Sequence, residues 1–203
     1  MSTPVHAAVD LGNSAVNIAP NGTYNGSNTV GKNSVVVGYQ NQTDDADGNF
    51  ILGAKSKAFG EGSIAIGNQN TANGANAYAI GAGANANGAV ALAFGNRASA
   101  STYALAVGSG ANASNESAVA VGRRTKAAGQ AAVGMGLEAN AAGDNSVAIG
   151  KNTTTTGGAG GVAIGNTNTS TGDRAISIGE SNNSQKEDTI TMGYSNTASV
   201  GGA

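Results

Sequence analysis

The chain has 203 residues and a formal net charge of −2, and Ala, Gly and Asn (39, 33 and 25 residues) make up close to half of it. With no Cys and a single His (His6), it has no disulfide framework, no zinc–thiolate site, no cysteine nucleophile and no multi-histidine metal centre. The acidic balance argues against nucleic-acid binding through a basic surface, and no run of 18 apolar residues is present to cross a membrane as a helix.

Taken in chain order, residues 1–30 hold two imperfect copies of a short pattern, Val9-Asp10-Leu11-Gly12 and Val16-Asn17-Ile18. They are expected to form divergent coils that cap a stack, because terminal repeats are atypical. From residue 31 to 203 the pattern sharpens into a block of aliphatic, small, aliphatic, Gly. It reads Val35-Val36-Val37-Gly38, Phe50-Ile51-Leu52-Gly53, Ile64-Ala65-Ile66-Gly67, Tyr78-Ala79-Ile80-Gly81, Leu92-Ala93-Phe94-Gly95 and Leu105-Ala106-Val107-Gly108. It continues through Val119-Ala120-Val121-Gly122, Ala131-Ala132-Val133-Gly134, Val147-Ala148-Ile149-Gly150, Val162-Ala163-Ile164-Gly165, Ile176-Ser177-Ile178-Gly179 and Ile190-Thr191-Met192-Gly193. The Gly-to-Gly spacing varies from 12 to 16 with a mean of about 14.

The two-residue alternation is the period of a strand, and aliphatic and β-branched residues favour one. Small residues stand three and five residues after many of these Gly, such as Ala84 and Ala86 or Thr153 and Thr155, and turn-forming pairs such as Asn73-Gly74 follow. Each unit therefore reads as two short strands and two tight turns, and the chain as an all-β parallel solenoid. About thirteen rungs at ~4.8 Å give a rod roughly 60 Å long. A strand that is small and apolar on both faces is usually buried on both. One face fills the coil and the other packs on a neighbouring chain; the alternation does not say which is which. With the aliphatic residues in the coil, Ile66→Asp and Ile149→Asp are expected to bury a charge in a narrow core.

The repeat resembles the head repeat of YadA-like trimeric autotransporter adhesins. The stretch Asn145-Ser146-Val147-Ala148-Ile149-Gly150-Lys151-Asn152-Thr153 follows that motif closely, with Thr153 where the family has Ser. The resemblance extends over roughly residues 31–201. It implies a left-handed parallel β-roll assembled as a homotrimer. It also implies a bacterial cell-surface adhesin, outer-membrane-anchored, that binds host matrix proteins such as collagen, fibronectin or laminin, or other cells. Collagen binding by this motif in the family would fall on Asn145, Ser146, Val147, Ala148, Ile149, Gly150 and Thr153. No secretion signal, heptad stalk or membrane anchor is legible, so the chain is expected to be a head fragment whose only membrane link is a missing C-terminal anchor.

Other motifs are weak. Gly26–Asn33 lacks the Ser or Thr that would hold magnesium in a phosphate loop. The Gly-x-Gly-x-x-Ala runs at Gly81, Gly108 and Gly134 recur with the repeat and are read as turns. Asp44, Asp45 and Asp47 depart from a calcium loop. Arg123, Arg124 and Lys126 form the basic cluster, a candidate anion or glycan contact. No acid–base or nucleophile–base pair emerges, so neither an enzyme nor a cofactor is expected. A structural shaft such as a phage tail fibre, or an ice-binding solenoid, is the competing reading.

Overall fold

The computed structural model describes residues 8–10, 16–19, 32–44 and 46–200. Among them the regular structure is all strand, with no helix. The contacts divide the chain into two compact units, Met1–Arg97 and Ala98–Ala203, and each is a parallel β-solenoid. Among the described residues the short strands number twelve, one per turn.

In the first unit the turn Ile64–Ala72 shows how the repeat is built. The strand Ile64–Asn68 carries the aliphatic block and the two-residue strand Thr71–Ala72 returns beneath it. Each strand pairs in parallel with its equivalent one repeat later, Ile64 with Tyr78, Ala65 with Ala79 and Thr71 with Asn85. The turns pass through left-handed residues, Gln69 (φ 58°) and Asn76 (φ 56°), which is why Asn and Gly crowd them. Gly67 is needed for a different reason. Its φ is 122°, and a Cβ there would lie 1.8 Å from the carbonyl oxygen of Gly81.

Near the start, Val16–Ala19 pairs in parallel with Val35–Tyr39, as a rung does. Ala8–Asp10 instead pairs antiparallel with Val16–Ala19. The rest of residues 1–30, including His6 and most of the Gly26–Asn33 loop, lies outside the described residues.

The interior corrects two expectations. First, the two aliphatic residues that flank the central position of each block are not the core. Ala65, Ala72, Ala77, Ala79, Ala84 and Ala86 are buried in the first unit, and Ala106, Ala113, Ala120, Ala127, Ala148 and Ala163 in the second. Ile64, Ile66, Val147 and Ile149 point outward and are only half-buried. In most turns the coil is one small side chain deep on each wall, while Val36 and Ile51 fill the inward position in theirs. Asp at Ile66 or Ile149 therefore does not enter the core. Second, the copy read as Ala131-Ala132-Val133-Gly134 is shifted by two residues. Val133 pairs with Val119, Gly134 with Ala120 and Met135 with Val121, so Gly134 takes the inward position and Gly136 (φ 123°) is the corner glycine. The uneven spacings of 12 and 16 thereby become even.

Corners that hold Asn bind successive turns through the interior. In the second unit Asn168 is buried; its Nδ2 donates to the carbonyls of Ile164 (2.6 Å) and Gly179 (2.7 Å), and its Oδ1 accepts the amide N–H of Asn182 (2.8 Å). Asn70 does the same in the first unit, with Ile66, Gly81 and Ala84. One side chain satisfies three backbone groups that the bend would otherwise leave buried and unpaired.

Two outcomes follow for stability. Gly67→Ala should destabilise by at least about 3 kcal/mol through strain and backbone clash. Gly83→Ala, left-handed at φ 68° with only the Arg97 Cγ at 3.7 Å, should cost about 1–2 kcal/mol. Chemical denaturation of both variants measures the contrast. Asn168→Ala should lose about 1–3 kcal/mol yet keep its β circular dichroism, since Ala already occupies the corner at Ala84 and Ala111.

Candidate functional site

Turning the small residues inward leaves the aliphatic ones on the outer face of the long strands. Strand pairing in register stacks them in two columns. In the first unit these include Ile64 above Tyr78 and Ile66 above Ile80. In the second unit Val147 stacks on Val162 and Ile149 on Ile164. Neighbours in a column shield one another, so most are half-buried in the single chain, while Leu52 (45%), Met135 (40%), Ile190 (55%) and Met192 (64%) remain exposed. Single exposed apolar residues are ordinary; a double column of them within each unit is not.

The motif Asn145–Thr153 is divided by this geometry. Asn145 is exposed in a left-handed turn (φ 55°), and Val147 and Ile149 belong to the outer columns. Ser146, Ala148 and Thr153 are buried. The Ser146 hydroxyl accepts a hydrogen bond from the Thr155 hydroxyl at 2.9 Å, whereas the Thr153 hydroxyl has no partner. Gly150 is a corner glycine, with a Cβ position 1.8 Å from the Gly165 carbonyl oxygen.

The basic cluster is also divided. Thr125 points into the coil, which turns Arg124 and Lys126 outward on either side of it. Together with Glu138, Ala139, Asn140 and Thr154 they line a cleft of about 370 Å³ on the short-strand sheet of the second unit. Arg124 Nη1 meets Glu138 Oε1 at 3.1 Å. Arg123 is exposed and does not line the cleft. Sequence reading missed Glu138, Asn140 and Thr154. The signal was the period itself, since Arg124 and Glu138, and likewise Lys126 and Asn140, stand 14 residues apart, and the short strands place Lys126, Asn140 and Thr154 in one column.

Other charged groups link turns. Arg174 bridges Asp188 (Nε to Oδ1, 2.7 Å) and Glu187, and the hydrogen bond from Arg174 holds the Asp188 carboxyl below its ordinary range. Asp44 ties its own loop: Oδ2 accepts the amide N–H of Gly60 (3.1 Å) and Oδ1 those of Ala46 (3.2 Å) and the Asn49 side chain (3.4 Å). Asp45 lies outside the described residues. Among the described residues no three His, Cys, Asp or Glu stand together to hold a metal ion.

The YadA head domain repeat matches residues 52–70, 72–98, 99–125, 127–153 and 157–180, more than half of the chain. The chain belongs to the YadA head family. The matched segments lie in both units and fall on the turns described above. YadA heads are adhesin-like, and the β-solenoid with its repeats is a structural and adhesive fold rather than a catalytic one. No curated protein matches this YadA head chain.

Proposed function

We propose that this YadA head is the binding portion of a bacterial cell-surface adhesin, working as a homotrimer anchored at the outer membrane by other parts of the protein. The observation that carries the reading is the double aliphatic column on the outside of the coil. Water contact along it is unfavourable in a single chain, and covering it with the same column of neighbouring copies closes the surface symmetrically. The family supplies the number three.

With the columns covered, the turns and the short-strand sheet remain for the target. We assign host matrix proteins such as collagen, fibronectin or laminin as that target, because adhesion to the matrix is the family's kind of work. Within the motif, Asn145, Lys151 and Asn152 are the exposed side chains left to meet such a protein once Val147 and Ile149 are covered. Threefold valency lets weak contacts add.

Ile66→Asp and Ile149→Asp test the assembly. Each variant should keep its β circular dichroism and lose association, because the charge sits on the outer columns and not in the core. Light scattering of the variants should give one-chain mass, and an unfolded spectrum would contradict the outward placement. The parent chain, applied to immobilised collagen, fibronectin and laminin, should bind at least one of them, and the one-chain variants should bind it more weakly. A trimer that binds none would favour the structural-shaft reading instead.

A further inference from the structure

The cleft on the short-strand sheet points to a function beyond the matrix-protein reading. We infer that Arg124, Lys126, Glu138, Asn140 and Thr154 form a binding site for an acidic saccharide, one sugar unit carrying a single carboxylate or sulfate.

Lys126, Asn140 and Thr154 are the outward residues of three paired short strands, so they form one column with one residue per turn. Arg124 and Glu138 form a second column beside it, and Ala139 lies between. Among the described residues, the ammonium of Lys126, the amide of Asn140 and the hydroxyl of Thr154 have no partner. Arg124 spends one N–H on Glu138 and keeps the rest of its fork. The Arg124 and Glu138 side chains are 68% and 41% exposed, so this bridge adds little to stability and opens without great cost.

The donor and acceptor set decides the class of ligand. Two cations take one anionic group. Glu138 accepts hydroxyl protons, and Asn140 and Thr154 both donate and accept. This combination suits a polyhydroxyl compound that carries an acid. A nucleic acid or other dense polyanion would fit poorly, because the cations do not continue along the columns: Glu138 follows Arg124, and Asn140 and Thr154 follow Lys126. The volume lies within the range of small-ligand pockets.

The cleft also lies on the sheet whose outer face is turned away from the aliphatic columns, so covering those columns leaves it open. The inference needs neither a trimer nor a matrix protein, and a failed matrix screen leaves it standing.

The test uses the whole 203-residue chain with sialyllactose, sulfolactose and unmodified lactose, followed by calorimetry or ligand-observed magnetic resonance. At least one acidic sugar should bind and lactose should not; the arm that binds distinguishes carboxylate from sulfate. Lys126→Ala should weaken binding about tenfold or more, the loss of one charged hydrogen bond. Glu138→Gln should also weaken it, because a hydroxyl loses a charged acceptor. Both positions are exposed, so both variants should melt as the parent does. The inference is overturned if neither acidic sugar binds or if Lys126→Ala leaves binding unchanged. It is also overturned if Glu138→Gln binds more tightly, since that marks attraction to positive charge alone.

Discussion

Each turn of this protein is narrow, and most of its other features follow from that width. A coil of about fourteen residues with two tight bends leaves room between its walls for Ala, Ser, Thr or a corner Asn, as at Ala65, Ser63 and Asn70. Val36 and Ile51 are larger side chains that still fit inside, near the start of the chain; in the other turns the larger aliphatic side chains face out. The inversion of the usual arrangement, small residues inside and aliphatic residues outside, follows from geometry rather than from hydrophobicity.

A thin core changes what holds the fold together. Burying an Ala methyl contributes only ~1 kcal/mol or less. The backbone ladder therefore bears much of the load, with links such as Ile64 N–H to Ala77 C=O (2.9 Å) and Thr71 N–H to Ala84 C=O (2.9 Å) repeated turn after turn. Glycine columns allow the corners to approach, and the buried Asn amides keep the bends satisfied. The apolar surface that a globular domain would put inside stands outside instead. Covering each half-exposed aliphatic side chain is worth roughly 1 kcal/mol. Folding therefore rests on the small inward residues and the backbone ladder, while the outer aliphatic columns are left for the association proposed above.

Much of this was legible in the sequence. The period, the strand–turn alternation, the parallel stacking and the family resemblance all rest on spacing, and spacing survives without coordinates. The inside and outside of the strand were not legible from alternation, because Ile64, Ala65 and Ile66 are apolar on both faces. The deciding clue was the company each face keeps: Ser63, Asn70 and Ala72 share the inner wall with Ala65. The register at Val133–Met135 misled because Gly134 imitates a corner glycine while filling an interior place. The cleft escaped because its residues come from successive turns and become neighbours only when the period is added. The motif Asn145–Thr153, prominent in the sequence, spends Ser146, Ala148 and Thr153 on the interior.

The central claim is that the aliphatic columns are a surface that other copies cover. The solution mass of the unmodified chain, measured by light scattering after size exclusion, tests it most directly. The account predicts a value near three times 19.5 kDa. A folded species near 19.5 kDa, stable with its columns in water, would contradict it.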